Sequence, residues 1–241
     1  MTKKGRGAKD GKSFWDAEYT DAQHLALSDE PSSDLLAFMR WSDRQKNEID
    51  RVVDKPRVLD IGCGNGRNVI FLQNVAQAQC YGFDISDSAI EQVRAKSSSP
   101  DRFIVHSIKE IPYPYENEAF DLVLDMMSSH ILNSKERKAM RDEIDRLLVP
   151  GGWIFYKTFL LDGDRNAREM ISKYPGDEEY SYVHPRIGHL EYVLPQDEII
   201  REIEEQGWEI HKISKSHKHI KNGKVGKRRN VVLYLRKPLG W

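Results

Sequence analysis

The chain has 241 residues, of which 39% are hydrophobic and 31% are charged, and its formal net charge is −1. This length and composition are typical of a globular protein with a sizeable core, most simply one domain over residues 13–241. No apolar run approaches the ~20 residues of a membrane span, and two cysteines are too few for a disulfide framework or a zinc site.

The N-terminal part of the chain combines a basic tail with helical patterns. Residues 1–12 carry lysine and glycine without apolar periodicity, which predicts disorder. They also lack the apolar stretch of a secretory signal, so we expect a cytoplasmic location. A helical cap is expected over about 13–52, with a helix at about 33–50 that Ser33 caps.

From Arg57 onwards, short apolar segments alternate with helical patterns. The segments predict strands over 57–61, 80–85, 102–106, 120–126 and 153–159. Ser86 is placed to cap the helix after the second strand. Asn133 and Glu136 form a capping-box pattern at the start of the helix that precedes the fifth strand. The glycines of PGG (150–152) are expected to end that helix. This alternation predicts a doubly wound, mostly parallel α/β sheet of Rossmann-like type.

The rest of the chain breaks the alternation. Residues 160–194 have few strong patterns, and we name them the lid segment because long unpatterned connections often serve substrate binding. A last helix is expected from Pro195 through Gln206. Segments 208–214 and 229–237 then predict an antiparallel C-terminal hairpin, which completes seven strands.

The stretch RVLDIGCGNGRNVIFL (57–72) is a strand, a glycine loop and a helix in succession. Glycine permits positive φ and close approach of a ligand to the backbone, and a helix N-terminus attracts polar groups. The dinucleotide pattern needs a glycine at position 67, where this chain has Arg67. A nucleoside ligand without pyrophosphate is therefore favoured over a nicotinamide dinucleotide. Asp84 ends the neighbouring strand and suits the two ribose hydroxyls, although an acid before a helix is also explained by capping.

Four blocks carry a family resemblance: VLDIGCGNGRN, YGFDIS, FDLVLDM and LLVPGGWIFYKTF. In order and spacing they resemble class I S-adenosylmethionine (SAM)-dependent methyltransferases, over about residues 57–160. The GCGNGRN loop and the basic ending look closest to the tellurite-resistance type of small-molecule methyltransferase. The resemblance implies a methyltransferase that uses SAM as cofactor.

The resemblance also implies the cofactor-binding residues. They are Asp60, Gly62, Cys63, Gly64, Gly66, Asp84, Ile85, Ser107, Ile108, Asp125, Met126 and Tyr19. Asp60 would bind the amino group of the methionine part, and Asp84 the ribose. Ser107 stands where the family often has an aspartate for the adenine amino group, so that contact is weakened here. Cys63 is interpreted as a small loop residue and not as a nucleophile.

The methyl acceptor is left open by the sequence. His130, after the fourth strand, is a candidate catalytic base or a histidine bonded within its own turn. Ten lysines and arginines follow Glu209 without any acid, which indicates either a solvated hairpin or a site for an anionic partner. A small-molecule acceptor is favoured, with RNA or protein as the alternative; a nicotinamide oxidoreductase and a non-catalytic SAM-binding module are less favoured. No metal and no membrane partner are expected.

Overall fold

The structure is a computed structural model that describes residues 11–24, 27–45, 55–216, 219–221, 224–226 and 228–240, with only the backbone of 216, 219–221 and 224–226. Eleven strands lie in these ranges: β1 (Arg57–Ile61), β2 (Gln79–Asp84), β3 (Phe103–Val105), β4 (Phe120–Met126), β5 (Leu148–Phe159), β6 (Ser181–Val183), β7 (Leu190–Tyr192), β8 (Glu209–Ser216), β9 (His219–Lys221), β10 (Lys224–Gly226) and β11 (Asn230–Arg236). The α-helices there are α1 (Gly11–Thr20), α2 (Ser33–Gln45), α3 (Arg67–Ala76), α4 (Asp87–Lys96), α5 (Ser134–Leu147), α6 (Arg165–Lys173) and α7 (Gln196–Glu205).

Seven strands form the central sheet, in the order β3-β2-β1-β4-β5-β11-β8. Strands β1 to β5 pair in parallel, and β11 pairs antiparallel with both β5 and β8. The α/β Rossmann-like fold, mostly parallel with an antiparallel C-terminal pair, is thereby confirmed. Because β1 lies between β2 and β4, chain connections leave it in both directions, and a crevice opens at its carboxyl end.

Helices cover both faces of this sheet. On one face α2, α3 and α4 pack side chains such as Phe38, Leu72 and Val93 against the strands. On the other face α5 and α7 contribute residues including Ile144 and Ile203. These two layers bury the long apolar strands on both sides, which is why the strands read as nearly continuous hydrophobic runs.

Helix ends follow the capping patterns in most places. Ser86 Oγ accepts a hydrogen bond from Ala89 N, and Asn133 and Glu136 form the reciprocal capping box at α5. For α2, however, the capping residue is Ser32 and not Ser33, because Ser32 Oγ accepts from Asp34 N at 3.3 Å. The expected end of that helix near residue 50 lies outside the described residues.

Three other expectations need correction. The helix α5 ends at Leu147, three residues before Pro150, since the residue before a proline disfavours helical geometry. Strand β5 therefore begins at Leu148 and contains the PGG sequence, whose Gly151 and Gly152 exchange hydrogen bonds with Lys237. Residues 11 and 12 belong to α1, while 1–10 lie outside the described residues.

The lid segment is more regular than its sequence indicates. It contains α6 and a separate antiparallel pair, β6–β7. The side chain of Asp164 caps α6 by accepting a hydrogen bond from Ala167 N. The helix and the two strands of the lid segment are short, so their hydrophobic periodicity was too brief to predict them from the sequence. In the parts of the chain that are described, no helix has both the length and the apolarity to cross a membrane.

Candidate functional site

The glycine loop after β1 has a backbone that only glycine adopts easily. Gly62, Gly64 and Gly66 have φ values of +70°, +54° and +78°. A Cβ atom on Gly62 would lie 2.4 Å from Ser128 Oγ, and one on Gly64 would lie 2.2 Å from Tyr19 Oη. The loop is therefore enclosed by the turn after β4 on one side and by α1 on the other.

Asp84 ties this loop to the end of β2. Its carboxylate accepts hydrogen bonds from Gly64 N at 3.0 Å and from Ser86 N at 2.9 Å. Burial raises the pKa of Asp84, and these backbone donors oppose that effect. The side chain that caps α4 is that of Ser86, so helix capping does not explain the presence of Asp84. Asp84 lies at the crevice between the ends of β1 and β2.

Asp60 is the penultimate residue of β1, just before the glycine loop. Its carboxylate is buried, with 2% of the residue's surface exposed. We find no hydrogen bond to this carboxylate from the part of the chain that the structure describes. Burial, together with the charges of Asp84 and Asp125, raises the pKa of Asp60 to about 8, against the opposing charge of Arg67. A buried acid without a donor is costly, so the site suits a cationic ligand group.

The turn after β4 forms the next wall. Asp125 accepts hydrogen bonds from the backbone N–H groups of Ser128 and Ser129, each at 3.2 Å, while burial raises its pKa to about 6. Ser128 Oγ donates to Ile61 O at 2.6 Å, which fixes the turn to the end of β1. Met127 has φ +68°, a strained value for a non-glycine residue and one that clusters at functional sites.

Met126 lies beside the loop, but part of its side chain faces the core. Its sulfur lies 3.3 Å from Asn68 Nδ2, at the start of α3, and it packs against the cluster that contains Leu35. Asn68 in turn accepts from Ser32 N at 3.0 Å. Met126 and Asn68 therefore connect the end of β4 to the start of α3 and to Ser32, the residue before α2.

Helix α1 closes the crevice from the side of α4. Asp16 accepts from Ser86 Oγ at 2.6 Å and from Ser88 N at 3.2 Å, and Gln92 donates to Tyr19 O at 2.6 Å. These bonds hold the Tyr19 ring over Gly64. Burial, with the nearby charge of Asp84, raises the pKa of Tyr19, so its phenol stays protonated.

The remaining residues of the expected set are less closely grouped. Ile85 follows Asp84 directly and is half-buried. Ser107 Oγ accepts from Lys109 N at 3.2 Å, and Ile108 packs against the core while its carbonyl accepts from Tyr113 Oη at 2.9 Å. Burial raises the pKa of the Cys63 thiol, which agrees with its interpretation as a loop residue.

His130 lies in a 3₁₀ turn, Ser129–Ile131, that packs against β7 of the lid segment. Its ring meets the Phe159 ring edge-on, with centroids 4.9 Å apart. Burial lowers the pKa of His130; Glu191 raises it and Arg228 lowers it further. His130 Nδ1 is buried and finds no hydrogen-bond partner among the described residues.

The structure brings together around His130 a group of side chains that the sequence placed in separate segments, and we name this group the lid cluster: Phe159, Asp164, Tyr182, Glu191 and Arg228. Arg228 donates from Nη1 and Nη2 to Glu191 Oε2, both at 3.2 Å, and its guanidinium lies 3.7 Å from the Phe159 centroid. Tyr182 Oη also donates to Glu191. Arg228 belongs to the basic ending, and no local pattern signals a partner 37 residues away.

Comparisons with known proteins find similarity to methyltransferases. Residues 58–152 match a family model described as "Methyltransferase domain". A phthiotriol/phenolphthiotriol dimycocerosates methyltransferase of Mycobacterium ulcerans is 27% identical over 148 residues, which is 52% of this chain and 54% of that protein. A fatty-acid O-methyltransferase of Mycolicibacterium smegmatis is 30% identical over 106 residues, 43% of this chain and 37% of that protein. The chain thus spans about half or less of the length of these relatives.

A solved structure shares the fold. A SAM-dependent methyltransferase from Methanosarcina mazei superposes with a TM-score of 0.67 and 19% identity, covering 81% of this chain and 98% of that one. The family match covers residues 58–152, and the likeness to the solved structure shows that the fold is shared.

Proposed function

We propose that this protein is an enzyme that transfers the methyl group of SAM to a small-molecule acceptor. The observation that carries the proposal is Asp60, a buried carboxylate without a hydrogen-bond donor in the described structure, at the end of β1 beside a left-handed glycine loop. An ammonium group is the partner that such a carboxylate lacks. The methionine part of SAM carries one.

The other residues around the crevice fit the same cofactor. Gly62, Gly64 and Gly66 let the backbone come close to it, and Asp84 offers carboxylate oxygens to a ribose. Asp125 and Met126 border the same edge of the sheet. We keep Ile85, Ser107 and Ile108 as proposed adenine contacts, and Cys63 as a loop residue that lines the cofactor.

When bound, SAM supplies an activated methyl group, so the protein has to orient the acceptor and exclude water. Helix α1 with Tyr19 covers the glycine loop and shields it from solvent. On the far side, the lid segment covers the turn that carries His130. We propose that His130 serves as a general base, because it lies in the turn between the crevice and the lid segment, and burial lowers its pKa.

The acceptor class rests on two kinds of support. By their names, the two curated relatives act on phthiotriol or phenolphthiotriol dimycocerosates and on a fatty acid. Two arginines of the basic ending are also engaged within the fold: Arg228 binds Glu191, and Arg229 binds the Asp162 carbonyl at 3.0 Å. These internal bonds weaken the alternative of an RNA or protein substrate. The narrower resemblance to the tellurite-resistance type and the single domain over 13–241 stay predictions.

Calorimetric titration of the protein with SAM, S-adenosylhomocysteine and NAD⁺ tests the proposal. We expect both SAM and its product to bind, and NAD⁺ to show no binding. Binding of NAD⁺ alone would contradict the proposal and favour an oxidoreductase. Binding of SAM without methyl transfer to any of a broad set of hydroxyl, amine, thiol and carboxylate compounds would favour a SAM-binding module instead.

A further inference from the structure

A small cavity lies between α5, α7 and the central sheet. Its volume is about 20 Å³, which is room for one water molecule or one monatomic ion. Isoleucines of α5, β5 and α7, with Trp208, form its apolar wall, and Arg137, Arg141 and Glu202 form its charged side. The proposed methyl transfer uses none of these side chains.

The charged side of the cavity holds more positive than negative charge. Arg137 donates from Nη2 to Glu202 at 2.8 Å, and Arg141 donates from Nη1 to the same carboxylate at 2.5 Å. The three side chains are 5%, 11% and 13% exposed, in the order Arg137, Arg141 and Glu202. Two cations thus share one anion and leave one positive charge, which is costly in a largely buried place.

Neighbouring acids do not supply the missing negative charge through a bond. Asp125 lines the same cavity, but its carboxylate accepts from the backbone N–H groups of Ser128 and Ser129. Glu178 lies near α5 and bonds Ser134 at the start of that helix. Within the described ranges, neither acid bonds either arginine of the cavity.

Arg141 also keeps a donor without an acceptor. Its Nε is buried and finds no hydrogen-bond partner among the described residues. Arg137, in contrast, uses its remaining Nη1 on the Leu132 carbonyl at 2.7 Å. A water molecule in the cavity would satisfy the Arg141 donor alone, whereas an anion would satisfy the donor and balance the charge.

We propose that this cavity is a binding site for one halide ion, with chloride as its ordinary occupant, held at Arg141 Nε beside the Arg137–Glu202 pair. The volume excludes a larger anion, and the isoleucine wall suits an ion that gives up its water readily. The bound ion stabilises the contact between α5 and α7, because it neutralises the charge that the two helices bury. The site is additional to the proposed methyl transfer and does not depend on it.

Melting temperatures of the full-length protein in different sodium salts test the proposal. Sodium gluconate is replaced stepwise by sodium chloride or sodium bromide at constant ionic strength, so that general screening stays the same. We expect the melting temperature to rise with either halide and to level off as the site saturates. The chloride NMR line should broaden on addition of protein, and bromide should reverse this by competition.

Two variants with one charge removed separate the site from the surface. Arg141→Met leaves Arg137 and Glu202 as a neutral pair, so halide affinity should fall at least about tenfold. Arg201→Met is the matched control, since it removes the same charge from an α7 side chain that is 63% exposed, and it should keep the wild-type affinity.

A third variant should change the affinity in the opposite direction. Glu202→Gln leaves two arginines without their acid, so halides should bind several-fold more tightly than in wild type. Circular dichroism establishes that each variant is folded. If Glu202→Gln is not, the comparison of wild type, Arg141→Met and Arg201→Met decides.

Equal melting temperatures in gluconate, chloride and bromide would overturn the proposal and mean that the cavity holds water only. Halide binding that Arg141→Met leaves unchanged would overturn it as well, because the ion would then bind elsewhere. Loss of binding in Arg141→Met together with wild-type binding in Arg201→Met supports the site.

Discussion

Replacing Asp60 by asparagine should stabilise the cofactor-free protein and weaken its binding of SAM. The substitution keeps the shape of the side chain and removes a buried charge that has no partner in the described structure. Burial raises the pKa of Asp60 from 3.8 to about 8. In the folded protein near neutral pH, the carboxyl is thus largely protonated, and asparagine reproduces that neutral form.

The magnitude follows from the pKa difference between the folded and unfolded states. Below about pH 4 both states hold the proton, and Asp60 has no pH-dependent effect. Between about pH 4 and pH 8 the unfolded state is ionised and the folded state is not, so stability falls by up to about 1.4 kcal/mol per pH unit. The whole interval gives an upper bound of about 6 kcal/mol, and relaxation around the buried group reduces this bound to about half.

Urea unfolding of wild type and Asp60→Asn between pH 5 and pH 8 measures this effect. The variant should be more stable, and its advantage should grow with pH. Asp121→Asn is the matched control: Asp121 is equally an aspartate of the sheet, but it accepts three hydrogen bonds from Arg57, so this variant should lose stability. A less stable Asp60→Asn, or an advantage that does not change with pH, would refute the reasoning.

Cofactor binding provides the second measurement. If an ammonium group ionises Asp60, binding near pH 7 releases a proton, and the calorimetric enthalpy changes with the ionisation enthalpy of the buffer. Asp60→Asn should abolish that buffer dependence and lower SAM affinity by at least about tenfold. Full affinity in the variant would mean that Asp60 does not hold the methionine part.

Three further predictions concern the walls of the site. Gly64→Ala should destabilise the protein by about 1–3 kcal/mol and increase hydrogen exchange in α1, because the added Cβ would lie 2.2 Å from Tyr19 Oη. Gly207 also has a positive φ, +77°, but open space surrounds it, so Gly207→Ala should cost less stability and leave hydrogen exchange in α1 unchanged. Asp84→Ala should reduce SAM affinity by about tenfold or more in calorimetry while circular dichroism shows the fold intact, and unchanged affinity would refute the ribose contact. Arg228→Gln should lower the melting temperature because it removes the hydrogen bonds to Glu191, whereas substitution of the exposed Lys215, Lys215→Gln, should not. If the wild-type protein binds RNA and Lys215→Gln does not, the result would instead favour a nucleic-acid substrate.

Local patterns in the sequence were sufficient for most of the sheet. Strands such as 57–61 and 120–126 are apolar on both faces, and no other element accommodates them between glycine loops and amphipathic helices. The capping box of Asn133 and Glu136 is likewise local, since the two residues bond each other's backbone. The spacing of Gly62 and Gly64 before Asp84 indicated a nucleoside crevice, because parallel strands bring their carboxyl ends to the same edge.

Only the tertiary structure decided which side chains meet across the crevice and in the lid cluster. Tyr19 lies over Gly64, and Arg228 binds Glu191, because separate elements pack together and not because of any repeat in the chain. The charge run after Glu209 looked the same along its length, yet contacts with two carboxylates set Arg228 apart from the exposed Lys215. Periodicity records which face of an element is apolar, whereas the cost of burying an unpaired charge depends on partners that the fold alone brings near.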